Sequence, residues 1–225
     1  RITEGEPVFI RRIEIRGLTK TKESVVRRNL SIYPGERASS KKLKESERLL
    51  LNTGYFDLES TRPVQITLEP DEGALRDAIV QVTEGQTGRF MVGAGVGSES
   101  GVMGEISLIE ENFDILNWPS SWNDLWRGNA FRGGGQRLSL VLRTGTERSY
   151  YSIGFYNPAV YDTEYSLGVN LYSMAVARQS FDESRAGLGV TGGKRLSKFV
   201  GRSLTVGYEN VDVDNVDSAA AAQIR

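Results

Sequence analysis

The feature that most constrains the fold is a strand-like stretch, T-G-R-F-M-V-G-A-G-V-G-S-E-S-G-V-M-G at 87–104. Apolar residues occupy every second position from Phe90 to Val96, and glycines fill alternate positions from Gly93 to Gly97. Because side chains alternate between the two faces of a strand, one face is apolar and the other nearly bare. Glycine weakens an ordinary strand, so this spacing suggests a crowded lumen or a closely approaching backbone. We interpret the stretch as the first strand of a membrane β-barrel that follows a soluble domain.

Later segments alternate in the same way, with apolar residues on one parity and small or polar residues on the other: 105–108, 137–143, 151–155, 165–171, 186–191 and 203–208. A lipid-facing band outside a polar lumen requires this pattern. A soluble β-sandwich also alternates, but it does not need a second face so rich in glycine. Counting the first strand, the sequence predicts seven barrel strands. Seven cannot complete a barrel, because bacterial outer-membrane barrels usually have an even number and an open edge in lipid leaves backbone groups unpaired.

The composition removes several classes of function. The net charge of -1 gives no basic signature, so we do not expect a nucleic-acid partner. The chain has no cysteine and no histidine, which excludes disulfides, thiol nucleophiles, the common zinc sites and histidine-based triads. An enzyme would need carboxylate, lysine or oxygen-only metal chemistry. We expect a protein that is not an enzyme and that uses no cofactor or metal.

The sequence contains no run of about 18 apolar residues, so it predicts no transmembrane helix. Barrel strands alternate, and each gives only a weak hydropathy signal. The chain begins at Arg1 without a methionine or signal peptide and ends at Arg225 after an alanine run. Both ends look cut, and we expect a fragment.

The residues before the first barrel strand predict a small α+β domain in the order strand, helix, helix, strand, strand. The strands are expected at 8–16, 64–68 and 78–82, with a turn at 69–73. The first helix is expected to be capped by Thr19 or Thr21 and to run through Leu30. The second should be capped by Ser39 or Ser40, reach about Thr53 and end before Gly54. The predicted core residues are Val26, Leu30, Leu43, Leu50, Tyr55 and Phe56.

Several motifs of this domain resemble a POTRA domain. They are I-E-I-R-G-L-T-K-T-K-E-S-V-V-R-R (13–28), P-G-E (34–36), S-x-x-x-L (39–43), G-Y-F (54–56) and I-V-Q-V-T-E-G (79–85). The strand that follows, E-E-N-F (110–113) and G-N-A-F-R-G-G-G-Q (128–136) resemble the outer-membrane barrel assembly factors of the BamA family, in which the last POTRA domain leads directly into the barrel. F-R-G-G-G at 131–135 is not the V-R-G-F-type motif of that family, since it lies in a different part of the chain.

The resemblance implies a linker at 1–7, a POTRA domain at 8–85 and the N-terminal portion of an outer-membrane β-barrel at 86–225. It implies a protein that inserts client barrels into a bacterial-type outer membrane, with the POTRA domain in the periplasm. The implied partners are unfolded outer-membrane protein clients, accessory lipoproteins and the lipid bilayer. Clients would pair with POTRA strand edges by β-augmentation and then with a lateral gate. We predict that residues 89–97 form the gate strand, with Phe90, Gly93, Gly95 and Gly97 as its characteristic residues.

Other functions stay open. The same superfamily includes transporters that secrete a polypeptide and translocation-assembly paralogues, and a passive porin-like channel or adhesin is a rival from another class. An outer-membrane lipase is a further option, which the absence of histidine disfavours. Asp212, Asp214 and Asp217 could hold calcium, but no EF-hand pattern surrounds them and a solvated strand end is expected.

All three tryptophans, Trp118, Trp122 and Trp126, lie in one insert, L-N-W-P-S-S-W-N-D-L-W-R-G at 116–128. They are four residues apart, as on one face of a short helix, and the insert falls at a periplasmic turn if the first barrel strand rises from the periplasm. We interpret them as aromatic anchors at the membrane interface. Packing among the aromatic residues of the loop and partner binding are the alternatives.

Overall fold

The structure, a computed structural model, describes residues 7–70, 73–98 and 101–217. The predicted linker at 1–7, the turn at 69–73 and the middle of the 87–104 stretch fall wholly or partly outside these ranges. The chain divides into two compact units: residues up to Thr87 with Glu111–Gly135, and Gly88–Glu110 with the residues from Gln136 onward. None of the helices in the described ranges has the length and apolar character needed to cross a membrane.

The first unit has the element order that the sequence predicts. It contains β1 (Phe9–Arg16), α1 (Glu23–Arg27), α2 (Ser40–Leu51), β2 (Val64–Glu69), β3 (Leu75–Val82) and, in the later segment, α3 (Trp122–Trp126). The sheet order is β1-β3-β2, with β1 parallel and β2 antiparallel to β3. The α+β class and the strand-helix-helix-strand-strand order are therefore confirmed.

The core of this unit consists of apolar side chains from the helices and from the facing sides of the strands. Val26, Leu30, Leu50 and Phe56 are buried in it, together with Ile10, Ile66 and Val80, while Leu43 and Tyr55 are partly buried and pack against it. Truncating one of the fully buried leucines to alanine typically lowers the free energy of unfolding by about 2–5 kcal/mol. The core thus joins both helices to all three strands.

Helix α1 is shorter than predicted, and neither threonine caps it. Lys22 is the N-cap residue, with no side-chain capping bond. Thr19 instead donates to Glu84, and the Thr21 hydroxyl accepts from Asn112 at 2.8 Å. Because these long-range partners occupy the hydroxyls, the helix begins only at Glu23. It ends at Arg27, since the amides of the next turn donate to carbonyls three residues back.

Helix α2 follows the predicted bounds more closely. Ser39 is its N-cap residue, although its side chain makes no capping bond. The helix ends at Leu51, and Gly54 follows with a φ of 73°, the left-handed conformation expected of a glycine just after a helix.

The second unit is a single antiparallel sheet in which each strand lies beside its neighbours in sequence. Its strands are β4 (Gly88–Gly97), β5 (Gly101–Phe113), β6 (Gln136–Gly145), β7 (Arg148–Asn157), β8 (Tyr165–Ala177), β9 (Asp182–Arg195) and β10 (Gly201–Asp214). The sheet order runs from β10 to β4 without a crossover. All seven alternating segments of the sequence lie in these strands, so the predicted barrel strands are confirmed, and over the described residues the sheet is open.

The register places apolar and small residues in separate rows across the sheet. One row, from β6 to β10, consists of Leu138, Phe155, Val169, Val190 and Val206. The next row consists of Ser139, Gly154, Asn170, Gly189 and Gly207. Adjacent rows point to opposite faces of a sheet, so one face is apolar and the other small or polar. This is the arrangement of a barrel wall between lipid and a polar lumen.

Candidate functional site: two strand edges and an aromatic connection

Strand β4 lies at one end of the seven-stranded sheet. It pairs with β5 from Gly88↔Glu110 to Gly97↔Gly101, and over the described residues no strand pairs with its other side. Phe90 on this strand is 66% exposed. The outward backbone groups of β4 can therefore template another strand.

The glycines of β4 do not face a crowded neighbour. A Cβ at Gly93 would meet no atom within 4 Å, and one at Gly95 would meet only the Met103 side chain at 3.8 Å. Gly97 closes the strand. Within the described residues, a closely approaching backbone thus does not explain Gly93 and Gly95. Their effect is to remove cross-strand side-chain contacts, which lowers the strength of pairing.

Strand β1 of the smaller sheet has a covered edge. The Ile10 amide donates to the Glu36 carbonyl at 2.9 Å, and the Gly35 amide donates to the Ile10 carbonyl at 2.7 Å. The Ala38 amide donates to the Val8 carbonyl at 2.8 Å. The segment before α2 therefore occupies the outward backbone groups at the start of β1.

Strand β2 is the other edge of this sheet, and the Glu47 side chain occupies one of its outward backbone amides. The Thr83 amide donates to the Pro63 carbonyl at 2.9 Å, so in the antiparallel register Val64↔Val82 and Ile66↔Val80 the amide of Ile66 points away from β3. That amide donates to Glu47 Oε1 of α2 at 2.8 Å. The carboxylate occupies the position that a carbonyl of an added strand would take.

The aromatic connection, residues 114–135 between β5 and β6, is docked on the core of the first unit through Asn112. Asn112 Nδ2 donates to Thr21 Oγ1, and Asn112 Oδ1 accepts from the Gly135 amide, both at 2.8 Å. The Gly133 amide donates to the Asn112 carbonyl at 2.8 Å, and the Gly133 carbonyl accepts from the Lys22 amide at 2.9 Å. Asn112 is only 3% exposed, so water does not compete for these bonds.

An ion pair between half-exposed Lys22 and buried Asp114 and a tyrosine reinforce this docking. Asp114 is 1% exposed, and its Oδ2 lies 2.6 Å from Lys22 Nζ. The Tyr55 hydroxyl donates to the Gly135 carbonyl at 3.2 Å, and burial raises the pKa of Tyr55, which keeps the hydroxyl protonated as a donor. Removing Lys22 would leave the buried Asp114 carboxylate without its charged partner, which is destabilising.

The three consecutive glycines of G-G-G are needed for this contact. Gly133 has a φ of 106°, and a Cβ there would overlap the Lys20 carbonyl oxygen. A Cβ at Gly134 would lie 2.9 Å from the Asp114 side chain, and one at Gly135 would lie 2.8 Å from Val25 Cγ1. The three glycines thus have a steric role in docking the connection, which the family resemblance alone did not indicate. The signal in the sequence is three adjacent glycines just before an alternating strand.

The final glutamate of V-T-E-G organises the turn before α1. Glu84 accepts from the Thr19 hydroxyl, from the Lys20 amide at 2.9 Å and from the Thr21 amide at 2.6 Å. Burial alone would raise the pKa of Glu84, but these hydrogen bonds outweigh it and hold the pKa below its usual value. Glu84 therefore fixes the turn on which the connection docks.

The tryptophans stand on the exposed side of this connection. Trp118, Trp122 and Trp126 are 70%, 80% and 85% exposed. Trp122 and Trp126 lie in α3, which has a capping box between Ser121 and Asp124. Trp118 precedes this helix, because the backbone at Ser121 is extended, so the predicted single helical face applies only to the other two.

Trp118 is held by a small aromatic cluster. Its ring meets Phe131 edge-on with centroids 5.3 Å apart, and Phe131 stacks on Phe113 at 5.9 Å. Packing among the aromatic residues of the loop therefore explains the position of the Trp118 ring, whereas Trp122 and Trp126 lie outside the cluster.

The aspartates near the end of β10 form no metal site within the portion of the chain that the structure describes. No group of three or more acidic residues there could hold a metal ion. Asp212 and Asp214 lie in β10, and the Asp217 amide donates to the Ser180 carbonyl at 2.9 Å.

Comparisons with known proteins agree with this architecture. Residues 8–85 match the POTRA family, described as a surface antigen variable number repeat, and residues 130–224 match the Omp85 superfamily domain. The outer membrane protein assembly factor BamA of Nitratidesulfovibrio vulgaris is 30% identical over 224 residues, which cover 95% of this chain and 25% of that protein. BamA of Neorickettsia risticii is 28% identical over 163 residues, which cover 72% of this chain and 19% of that protein. The chain spans a quarter or less of the length of these curated relatives.

The crystal structure of BamA from Haemophilus ducreyi lacking POTRA domains 1-3 has the same fold. It matches with a TM-score of 0.68 at 21% identity, covering 94% of this chain and 37% of that chain. The chain is therefore BamA-like: a domain that matches the POTRA family is followed by antiparallel strands that include the match to the Omp85 superfamily domain.

Proposed function

We propose that this chain takes part in assembling client β-barrel proteins into the outer membrane. The observation that carries the proposal is that it presents two pairable strand edges in succession, β2 in the POTRA sheet and β4 in the barrel sheet. The relatives named as assembly factors support it. Insertion of this kind needs strand pairing and no covalent chemistry, which fits a non-enzymatic protein without a cofactor.

The POTRA step is β-augmentation at β2. An extended client segment adds a strand beside Val64–Glu69, and its backbone hydrogen bonds give affinity with little demand on sequence. The edge of β1 is less suited, because the segment from Gly35 to Ala38 already bonds to its backbone. The client must displace Glu47 from the Ile66 amide, so this carboxylate sets how readily the edge accepts a strand.

The membrane step is lateral opening at β4. In the complete barrel β4 pairs with the final strand, and its glycine-rich face contributes few side-chain contacts to that seam. A client strand replaces the final strand at the edge of β4 and leaves into the lipid. The POTRA domain lies in the periplasm, where unfolded clients and accessory lipoproteins reach it.

A disulfide lock tests this proposal in the full-length protein. One cysteine replaces Gly93, where a Cβ meets no atom within 4 Å, and the other replaces the facing residue of the final strand. A bridge forms when the Cα atoms lie within about 7 Å. Oxidation should stop insertion of client barrels and reduction should restore it, while heat-modifiable gel mobility shows that the locked protein stays folded.

The control is a second lock on a seam that does not open. Ala94 and Gly104 lie opposite each other between β4 and β5, and a Cβ at Gly104 meets no atom within 4 Å. This bridge should leave insertion unchanged. Normal insertion by the fully oxidised Gly93 lock would exclude opening at β4. Conductance through the lumen should survive the lock, because it does not require the seam to open.

A further inference from the structure

We propose that the aromatic connection is a membrane anchor that binds the POTRA domain to the periplasmic surface of the bilayer, with Trp122 and Trp126 in the lipid headgroup region. The proposed function requires strand edges and makes no use of this surface. The occupant that we assign is the phospholipid interface.

The exposure of Trp122 and Trp126 is built into the fold. The capping box of Ser121 and Asp124 fixes the start of α3, and the amides of Ser120 and Ser121 both donate to Asp124 Oδ2 at 3.0 Å. The acidic side chain is thereby occupied by the helix cap. Trp122 and Trp126, one turn apart, are held outward with four-fifths or more of their surface accessible.

The exposed surface around α3 combines aromatic, aliphatic and basic side chains. Leu116, 74% exposed, and Leu125, 43% exposed, add aliphatic area to the two indoles. Indole rings combine a large apolar body with one N–H donor and favour the boundary between headgroups and acyl chains. Arg127, directly after α3, is exposed and supplies a cation for lipid phosphate. An apolar patch with a basic residue at its border fits a phospholipid surface.

The aromatic connection is continuous in the chain with two strands of the barrel sheet. The connection leaves β5 at Phe113 and enters β6 at Gln136. Strands that cross a membrane end at its interface, where aromatic girdles lie, so a connection between two of them begins at headgroup level. Both ends of the connection are therefore expected near the depth that tryptophan prefers.

The docking contacts couple this membrane anchor to the POTRA domain. Asn112, Asp114 and the glycines from Gly133 to Gly135 hold the connection on the turn before α1. Because Asn112 is buried and bonded to Thr21 and Gly135, the connection is tied to the turn before α1. Lipid contact at α3 then restricts how far the POTRA domain can move from the membrane.

The test measures tryptophan quenching in the full-length protein, reconstituted in phosphatidylcholine vesicles. The emission of Trp122 and Trp126 is taken as the difference between the parent and a Trp122→Phe/Trp126→Phe variant, with heat-modifiable mobility as the folding check. Lipids brominated near the headgroup should quench this difference emission several-fold more than lipids brominated near the chain ends. Aqueous iodide should quench it only weakly.

A matched control adds a tryptophan at a water-exposed position of the same unit, Lys44→Trp on α2. Its added emission should respond to iodide and not to brominated lipid. The proposal is overturned if the emission of Trp122 and Trp126 behaves like this control, which would mean that they face water. Shielding from both iodide and brominated lipid would also overturn it, because a protein partner would then cover the patch. Client insertion measured on the same vesicles tests the proposed function separately.

Discussion

Replacing Glu47 tests whether clients bind at the β2 edge. In the resting protein the Ile66 amide donates to Glu47 at 2.8 Å, and Ile66 is buried. A hydrogen bond to a charged group contributes about 1.5–3 kcal/mol, and the half-exposed position of Glu47 favours the lower end of that range. Glu47→Ala should therefore lower the free energy of unfolding of the POTRA domain by about 1.5 kcal/mol.

The stability lost in Glu47→Ala should be matched by a gain of similar size in the free energy of client binding at β2. A client strand that pairs with Ile66 must first release Glu47 in the parent protein, whereas in the alanine variant nothing has to be displaced. The affinity for an extended peptide should therefore rise by about tenfold, which is the equivalent of 1.4 kcal/mol. Glu47→Gln keeps a neutral acceptor and should give intermediate values in both measurements.

The assay pairs fluorescence anisotropy of a labelled strand peptide from a barrel protein with urea unfolding of the same preparations. The expected loss of stability moves the urea midpoint down by about 1 M for a domain of this size. Glu45→Ala is the matched control, because Glu45 lies on the same helix but accepts from Ser31 Oγ at 3.1 Å. If Glu47→Ala lowers the midpoint while the peptide affinity stays at the parental value, clients do not pair at β2.

Three further substitutions test other parts of the structure. Val169→Arg should block membrane integration of the full-length protein, because an arginine facing lipid near the midplane costs about 2–4 kcal/mol, whereas Ser139→Arg on the opposite face should be milder. Heat-modifiable gel mobility measures integration, and equal damage from both variants would refute the assignment of faces. Gly133→Ala should make the POTRA domain more sensitive to protease, because Gly133 has a φ of 106°, while Gly93→Ala should be tolerated. Hydrogen bonds from arginine lower the pKa of Asp77 to about 2, so its stabilising contribution is present above the unfolded value of about 3.9 and is lost as pH falls toward 2. Asp77→Asn should flatten that loss in acid unfolding curves, and an unchanged acid limb would refute the assignment.

The barrel strands could be predicted from the sequence because their constraint is local. Lipid on one side and a polar lumen on the other impose a period of two on every strand, as in Leu138, Leu140 and Leu142. Neighbouring strands joined by short turns then give the sheet order. The N-terminal domain could be predicted for the same reason. The apolar stripe of its second helix, from Leu43 to Leu50, and its turn glycines are patterns among residues close together in the sequence.

Residues whose partners lie far along the chain were not predictable in the same way. Thr21 has the chemistry of a helix cap, but Asn112, 91 positions away, takes its hydroxyl and α1 begins later. Glu47 looks like any polar residue on the wet face of α2, and only the register of β2 against β3 shows that it meets an outward amide. The sequence contained the chemical groups, but their pairing depends on the tertiary fold.

The edges of the two sheets differ in how firmly they are protected, and the order of protection suits the transfer of a client. The start of the β1 edge is held by backbone bonds from the segment before α2, so an incoming strand would have to displace that segment. The edge of β2 is held at Ile66 by one carboxylate, which regains its hydration when it is displaced. The edge of β4 presents glycines that add little to any pairing. In the proposed function, a client would therefore meet a reversible edge first and, in the barrel, an edge whose glycines add little to its pairing. Strand exchange between such edges can proceed by replacing one set of backbone hydrogen bonds with an equivalent set, which requires no external energy source.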